Sequence, residues 1–448
     1  MLANKVMPGT RILSSLTQAF RNYTSHADRQ YDMVVVGGGI IGLATARELL
    51  IRQPTLKLAV LEKESLLAQH QSTHNSGVIH SGVYYVPGSL KAKLCVEGAN
   101  LMYEYCDKSK VQYKKCGKVI VAVEKNEMTR LKNLYERGLQ NGVRDIRLIS
   151  KEELKVLEPN CEGIAAIYVP HTGIVDYGQV AKSYSEDIRN FGGDIILDYE
   201  VTKFDYTESS KSSTEIRPQI VIHAKDKHKE NIKSRFVITC CGLYSDRLAS
   251  KSGCESEPKI VPFRGNYLVL RKNKSNLING NIYPVPNPDL PFLGVHFTPK
   301  INGEVWLGPN AILALSREGY RFTDINPQQL MESISNKGLI KLLCKHWQFG
   351  IQETIRNAFL PAQIQQLQRY VPKLQIDDVV RGPAGVRAQA LDTDGNLVDD
   401  FIFDSPPGNI GQLILHVRNA PSPGATSSLA IAKVIASEIN HKFNGKKS

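Results

Sequence analysis

The order of apolar and polar positions predicts a strand, a helix and a second strand near the start of the chain. Residues 31–36 form a mostly apolar run of strand length, and residues 40–50 repeat apolar side chains at helical spacing. Another run of strand length, residues 57–62, follows the turn at Pro54. This succession is typical of a βαβ unit, in which a helix connects two parallel strands.

The rest of the chain mixes the two patterns and changes in composition. Charged and apolar residues alternate at helical spacing over 125–158, and a further helix is predicted over 180–191. Prolines and aromatic residues break the region from about 259 to 380 into short pieces, which indicates a different domain. Strands are predicted over 195–204, 219–224, 235–239 and 412–417, with a last helix over 425–442. The first domain is therefore assembled from discontinuous segments.

Composition and charge narrow the class of protein. A chain of 448 residues with 42% hydrophobic ones is longer than one ordinary core supports, so we expect two domains. The formal net charge of +12 comes from scattered basic residues without a zinc-finger or RNA-binding signature, so we expect no nucleic-acid partner. The eight cysteines lack zinc-site spacing, and we predict no metal site. No apolar run reaches the length of about 18 residues expected of a membrane span.

The first thirty residues have the composition of a mitochondrial presequence. Lys5, Arg11, Arg21 and Arg29 stand against the single acid Asp28, and Ser and Thr are frequent. We predict a cleaved presequence over 1–30, with a plain disordered tail as the alternative.

A glycine-rich turn between the first strand and the first helix predicts a dinucleotide site. Gly37 permits the tight turn, Gly39 lets backbone amides approach a pyrophosphate, and Gly42 allows close helix packing. Glu62 closes the second strand where an acid accepts hydrogen bonds from the adenosine ribose, and Lys63 follows it as a further candidate. The alternative is a purely structural glycine turn. The motif itself does not choose between NAD and FAD.

Several further segments carry a more specific signal. They are QSTHNSGVIHSGVYY at 71–85, PGSLKA at 87–92, VPFRGNY at 261–267, GVHFT at 294–298, GVRAQ at 385–389 and NAPSPGATSS at 419–428. Together they resemble the L-2-hydroxyglutarate dehydrogenases, which belong to the D-amino-acid oxidase-like superfamily of FAD enzymes. The resemblance covers essentially the whole chain after residue 30.

The resemblance implies an α/β (α+β) fold with bound FAD. A Rossmann-like FAD-binding domain built from discontinuous segments would carry a mixed-sheet substrate domain over the flavin. Combined with the patterns above, it places the FAD-binding domain at 31–115, 172–258 and 381–440, and the substrate domain at 116–171 and 259–380. The implied reaction is oxidation of L-2-hydroxyglutarate to 2-oxoglutarate, with hydride passing from substrate C2 to flavin N5.

The resemblance also implies cofactor contacts residue by residue. It places Val201 near the adenine and Gly242 near the pyrophosphate. The loop and the C-terminal motif would face the flavin through Thr73, Asn75, Ser76, Gly77, Pro421, Ser422, Gly424 and Ala425. Without the resemblance, a solvated polar loop and a capped turn before the last helix are the simpler interpretations.

A dicarboxylate substrate requires fixed positive donors, and arginine offers two parallel hydrogen bonds. Arg387 stands where the resemblance places the arginine that binds the substrate's alpha-carboxylate, and Arg264 is a second candidate. Tyr84 and Lys91 are weaker candidates for substrate binding.

Oxidation of the alcohol also needs a base for the hydroxyl proton, and histidine suits that role near neutral pH. His80 and His296 are the candidates, because both lie in segments expected to face the flavin, and the sequence does not choose between them.

Two other functions remain open at this stage. An amine or amino-acid oxidase of the sarcosine or glycine oxidase type would share the fold and the carboxylate-binding arginine. A flavin-binding protein whose basic surface binds RNA or a protein partner is the other. For the dehydrogenase we expect a membrane or other electron acceptor, either a quinone or an electron-transfer flavoprotein, and peripheral contact with the mitochondrial inner membrane.

Overall fold

The computed structural model describes residues 29–210, 216–288, 290, 292 and 294–444. The predicted presequence, except for its last two residues, lies outside these described residues.

An eight-stranded sheet is organised around the valine-rich strand Gln30–Val36, whose second half is fully buried. This strand pairs in parallel with Leu58–Leu61 on one side and Ile232–Thr239 on the other. Parallel strands with both faces covered favour such continuous apolar runs over alternation. The remaining strands are Asp194–Ile196, Val201–Ser210, Ile216–Ala224, Ile402–Asp404 and Ile414–Asn419.

Helices cover this sheet and close its core. Ile40–Arg52 follows the glycine turn and packs against both Tyr177–Asn190 and the last helix, Ser428–Asn444. Leu90–Ser109 packs on the last helix as well, and Ser245–Lys251 follows the strand Ile232–Thr239. The discontinuous assembly of this half is therefore confirmed, since its last strand and helix come from the C-terminus.

A nine-stranded mixed sheet forms the second half of the molecule. Its longest strands, Lys259–Leu270 and Val379–Leu391, pair antiparallel along nearly their whole length. The other strands are Lys118–Ala122, Arg147–Ser150, Ala165–Val169, Asn281–Pro284, His296–Pro299, Val305–Gly308 and Ile312–Leu313. The predicted boundary at 380/381 cuts through one of these paired strands, so residues 381–391 belong to the second sheet. Sequence patterns do not show which strands pair, and this boundary therefore needs correction.

The remaining elements differ in part from the sequence patterns. The predicted strand 195–204 is wrong as one element, because two separate strands occupy that region. Helices Met128–Gln140 and Lys151–Leu157 flank the strand Arg147–Ser150 where one helical region was expected. Four helices of the second half were not predicted: Pro327–Ile334, Lys337–Lys345, Trp347–Ala358 and Leu360–Gln368. A small sheet joins Val78–Ile79, Tyr113–Lys114 and Gly173–Val175, and Gly408–Gly411 forms a short helix. Within the described part of the chain, no helix is long and apolar enough to cross a membrane.

Candidate active site

A cavity of about 1030 Å³ is lined by residues of both sheets. At one end it reaches the glycine turn after the first strand, and at the other it reaches side chains of the nine-stranded sheet. Most of the predicted site residues line it: Gly37, Gly39, Glu62, Lys63, Asn75, Ser76, His80, Tyr84, Lys91, Val201, Gly242, His296, Arg387, Pro421, Ser422, Gly424 and Ala425. The cavity lining does not include Gly42, Thr73, Gly77 or Arg264.

The glycine turn is shaped by backbone contacts that no larger residue would permit. Gly37 has φ +110°, and a Cβ there would lie 2.4 Å from the carbonyl oxygen of Cys240. A Cβ on Gly42 would lie 2.0 Å from the carbonyl oxygen of Gly37, which explains a packing role away from the cavity. A Cβ on Gly39 would meet only Ser72 Oγ, at 3.3 Å, so the space before the helix is open. The turn therefore brings exposed backbone to the cavity wall.

Glu62 and Lys63 lie beside this turn. The Glu62 carboxylate accepts hydrogen bonds from the backbone N–H of Gly38 at 2.6 Å and of Glu64 at 2.9 Å. The Lys63 ammonium pairs with both Glu64 and Glu318. These two carboxylates and His70 are close enough together to hold a cation, but Lys63 already engages both acids.

The loop after residue 70 is held by its own side chains. Asn75 donates to the carbonyl oxygens of Gln71 and Ser72 and accepts from the backbone N–H of Gly77. Gln71 Oε1 accepts from the backbone N–H of Ala388 at 2.9 Å, which ties the loop to the strand that carries Arg387. Thr73 is exposed and donates to a carbonyl within its own loop. Asn75 and Gln71 therefore position the loop, and the sequence analysis missed Gln71.

The C-terminal motif meets the same loop through Thr426. Thr426 Oγ1 accepts from the backbone N–H of His80 at 3.1 Å and bonds the Tyr177 hydroxyl at 2.9 Å. The segment before it, residues 421–425, lines the cavity. The two motifs that carried the family resemblance are thus in direct contact, although they are far apart in the sequence.

His296 is buried at the start of its strand and has a defined orientation. Its ring stacks on Tyr283, with centroids 4.3 Å apart and an angle of 20°. Its Nδ1 lies 3.2 Å from the carbonyl oxygen of Gly294. Because a carbonyl only accepts, the neutral ring donates from Nδ1 and keeps a free lone pair on Nε2. Burial, with the charges of Arg387 and Lys118, lowers the pKa of His296 to about 3.

His80 lies nearby without such an anchor. Its Nδ1 is buried and has no hydrogen-bond partner within the described ranges. Burial lowers the pKa of His80 well below its ordinary value, and the positive charges of Lys118 and Lys91 act in the same direction.

Lys118 is itself only 2% exposed, and its ammonium lies 4.1 Å from the centre of the Tyr283 ring. Burial lowers the pKa of Lys118 to about 7.

Arg387 reaches the cavity from the paired strand Val379–Leu391. Its guanidinium interacts with Tyr267, and no carboxylate of the described residues forms an ion pair with it. The register pairs Arg387 with Phe263 and Val386 with Arg264. Successive side chains of a strand point to opposite faces, so Arg264 lies on the face away from Arg387.

Arg264 is buried on that face, and no described acid forms an ion pair with it. Its guanidinium lies 3.9 Å above the centre of the Phe322 ring, and its Nε and Nη1 find no partner in the described part of the chain. Arg264 does not line the cavity that the other candidate residues share. Substrate binding by Arg264 therefore stays a prediction.

Lys91 and Tyr84 both line the cavity, but only the polar group of Lys91 has a partner among the described residues. Lys91 pairs with Asp399 at 2.6 Å, so its charge is already matched. The buried Tyr84 hydroxyl has no partner among the described residues, and burial raises its pKa well above the ordinary value. Tyr84 is therefore the better placed of the two to bond a ligand.

One helix contributes cavity residues that the sequence analysis missed. Met128–Gln140 presents Arg130 and Arg137, seven positions apart on one face, to the cavity. Arg137 donates to the carbonyl oxygen of Tyr84 at 3.1 Å. No described acid forms an ion pair with either arginine. Their helical spacing was visible in the sequence, but nothing in it indicated which face meets the cavity.

Comparison with known proteins places this site in a family. Residues 32–438 match the family model described as FAD dependent oxidoreductase. The chain is 57% identical over 425 residues to the mitochondrial L-2-hydroxyglutarate dehydrogenase of Nematostella vectensis, covering 94% of this chain and 93% of that protein. It is 54% identical over 419 residues to the human protein of the same name, covering 94% and 90%.

Solved structures agree on the fold. L-alpha-glycerophosphate oxidase from Mycoplasma pneumoniae, solved with FAD bound, superimposes with a TM-score of 0.72 at 24% identity, covering 93% of this chain and 95% of that one. Glycine oxidase from Geobacillus kaustophilus gives a TM-score of 0.67 at 17% identity, with 92% and 95% covered. At these identities the likeness concerns the fold alone.

Proposed function

Because the chain belongs to the FAD dependent oxidoreductase family, and within it to the L-2-hydroxyglutarate dehydrogenases, we propose that it oxidises L-2-hydroxyglutarate to 2-oxoglutarate. The observation that carries this proposal is Arg387, a part-buried guanidinium in the cavity wall without a carboxylate partner among the described residues. A substrate carboxylate would supply the missing negative charge through two parallel hydrogen bonds.

The residues at the glycine end of the cavity fit FAD. Gly37 keeps the turn tight, Gly39 leaves room for a pyrophosphate, and the helix behind them offers its N-terminus. Glu62 lines the cavity where an adenosine ribose would bind, and residues 421–425 line it where the ring would lie. When bound, FAD supplies the acceptor for the hydride that leaves substrate C2.

His296 is the base that the geometry favours over His80. Its donor bond to Gly294 leaves Nε2 as an acceptor for the substrate hydroxyl proton, whereas the buried Nδ1 of His80 has no hydrogen-bond partner among the described residues. A pKa near 3 keeps the imidazole neutral, but it also makes the imidazole a weak base. A substrate carboxylate bound to Arg387 would offset one of the charges that lower this pKa and would strengthen the base.

The second carboxylate of the substrate would bind at the helix Met128–Gln140. Arg130 and Arg137 line the cavity without acidic partners among the described residues, and Arg137 is held close to Tyr84. A dicarboxylate would then span from Arg387 to this helix, which accounts for two sources of positive charge in one cavity. Lys91 is less suited, since Asp399 already matches its charge.

The amine or amino-acid oxidase alternative is not favoured, because the curated relatives at high identity are hydroxy-acid dehydrogenases. We place the enzyme in the mitochondrion, as for those relatives. We also propose peripheral contact with the inner membrane and transfer of electrons to a quinone or an electron-transfer flavoprotein.

Anaerobic spectroscopy of the purified protein tests the function without knowledge of the acceptor. L-2-hydroxyglutarate should bleach the flavin absorption within one turnover, and the D-isomer should bleach it far more slowly. Glycine and sarcosine should leave the spectrum unchanged. Bleaching by the amines but not by L-2-hydroxyglutarate would reject the proposal in favour of the oxidase alternative.

A further inference from the structure

Large exposed apolar side chains are concentrated in one segment of the chain. Of the 21 large hydrophobic residues that are exposed in the described part of the chain, ten lie between Phe322 and Phe359. They are Phe322, Ile325, Met331, Ile334, Ile340, Leu343, Trp347, Ile351, Ile355 and Phe359, each between 41% and 61% exposed. Scattered exposed apolar residues are normal in a folded protein, but a contiguous group marks an interaction surface.

The helix Trp347–Ala358 turns a regular apolar stripe toward solvent. Trp347, Ile351 and Ile355 recur every four residues and form one stripe, yet all three are more than half exposed. A helix on a water-soluble protein normally turns such a stripe toward the core.

The opposite side of the same helix is polar and faces the protein. Glu353 is the buried residue of this helix, and its carboxylate accepts from the backbone N–H of Ala311 at 2.9 Å. Asn357 accepts hydrogen bonds from the side chains of Asn266 and Asn310. These polar contacts fix the orientation of the helix and hold its apolar stripe outward.

Positive charge accompanies the apolar stripe. From Asn336 to Gln352 the chain contains Lys337, Lys341 and Lys345 and no acid. Lys341 pairs with Asp394, whereas no described acid forms an ion pair with Lys337 or Lys345. Exposed apolar side chains beside lysines are typical of helices that lie in the interface of an anionic bilayer. A tryptophan at the end of the stripe suits the same boundary.

We propose that residues 322–359 form a membrane-docking surface that lies on a bilayer containing anionic phospholipids, with the helix Trp347–Ala358 parallel to the bilayer plane. This inference rests on the proposed peripheral membrane contact of the enzyme and identifies the surface that makes it. Trp347, Ile351 and Ile355 enter the boundary between head groups and acyl chains, and Lys337 and Lys345 contact lipid phosphates.

Vesicle flotation of the FAD-loaded full chain tests the docking surface. Vesicles of phosphatidylcholine alone are compared with vesicles in which part of that lipid is replaced by phosphatidylglycerol. The triple variant Trp347→Ser, Ile351→Ser and Ile355→Ser should reduce the partition coefficient at least about tenfold, because it removes most of the inserted apolar area. A matched control with serine at the exposed positions Leu148, Val156 and Phe191 should bind as the wild type.

A second variant separates charge from apolar insertion. Lys337→Gln with Lys345→Gln should lower binding roughly thirtyfold on the anionic vesicles and little on phosphatidylcholine alone, since each lysine near such a surface contributes about 1 kcal/mol, or roughly fivefold. Because this variant leaves the apolar stripe intact, it still tests the docking surface if the serine triple fails to fold.

Anaerobic flavin reduction by L-2-hydroxyglutarate should be the same in all these variants, because none of the substituted residues lines the cavity that holds the proposed site. Wild-type protein that stays unbound on both vesicle types would overturn the docking surface, as would a serine triple that floats like the wild type. If the triple instead abolishes a concentration-dependent dimer and vesicles do not bind, the surface belongs to a second copy of the chain and the proposal is wrong. Failure of flavin reduction in every protein, with vesicle binding intact, would reject the enzymatic proposal alone.

Discussion

Replacing Arg387 by lysine tests the central contact of the proposed reaction. The substitution keeps a positive charge in the cavity but loses the planar fork that can make two parallel hydrogen bonds. In the structure, the guanidinium interacts with the Tyr267 hydroxyl and otherwise lacks a described acid to balance it. A lysine at this position would make a single contact from a more mobile chain.

The expected magnitude follows from the number of donors lost. Removing one preorganised donor from an active site costs about 2–4 kcal/mol in transition-state stabilisation, which corresponds to roughly 30- to 1000-fold in kcat/KM. FAD content should stay normal, because Arg387 belongs to the nine-stranded sheet, away from the glycine turn.

Single-turnover flavin reduction under anaerobic conditions measures this loss directly and is independent of the electron acceptor. Arg381→Lys is a matched control, since Arg381 is an exposed arginine of the same strand that does not line the cavity. Wild-type reduction rates at low substrate concentration in Arg387→Lys, with the control also unaffected, would refute the carboxylate contact. Equal losses in both variants would point instead to damage of the strand.

Four further outcomes are expected. Gly39→Val should abolish FAD binding, because the side chain would fill the space before the helix; a fully yellow protein would contradict this. Glu62→Ala should weaken FAD binding less, by about 1.5–3 kcal/mol for a lost charged hydrogen bond, which a titration of apoprotein with FAD would measure. His296→Asn should slow flavin reduction by about 10²–10⁴-fold with FAD retained, and His80→Asn should have a smaller effect; the reverse order would assign the base to His80. Burial lowers the pKa of Lys118 to about 7 from 10.5, so between these values the unfolded chain binds a proton that the folded protein does not, and stability rises with pH across that range. Lys118→Met should therefore raise the Tm most below pH 7 and progressively less as the pH approaches 10.5, and a gain that grows with pH would show that the ammonium is stabilised rather than strained.

The sequence by itself determined the features that depend on short-range geometry. The strand, the glycine turn and the helix lie within one stretch of chain. The positive φ of Gly37 and the lack of space for a side chain at Gly42 both require glycine, so the spacing of the glycines predicts the turn. The two loop motifs, which contact each other through Thr426, could likewise be recognised because each is a continuous run of residues. For the same reason the bounds of the first strand and helix agree with the pattern to within two residues.

Only the tertiary structure decided which distant residues share the cavity. The sequence made Arg387 the stronger and Arg264 the weaker candidate for substrate binding. The register of two strands, more than a hundred residues apart, turns these two side chains to opposite faces. The tautomer of His296 depends on the carbonyl of Gly294, whose direction comes from the fold of its loop rather than from residue type. The outward stripe of the helix Trp347–Ala358 has the spacing of a core-facing helix, and it is the pairing of Glu353 with the body of the protein that reverses it. Local patterns record side-chain periodicity and turn geometry, whereas the face that a side chain presents to a ligand or a membrane is set by long-range packing.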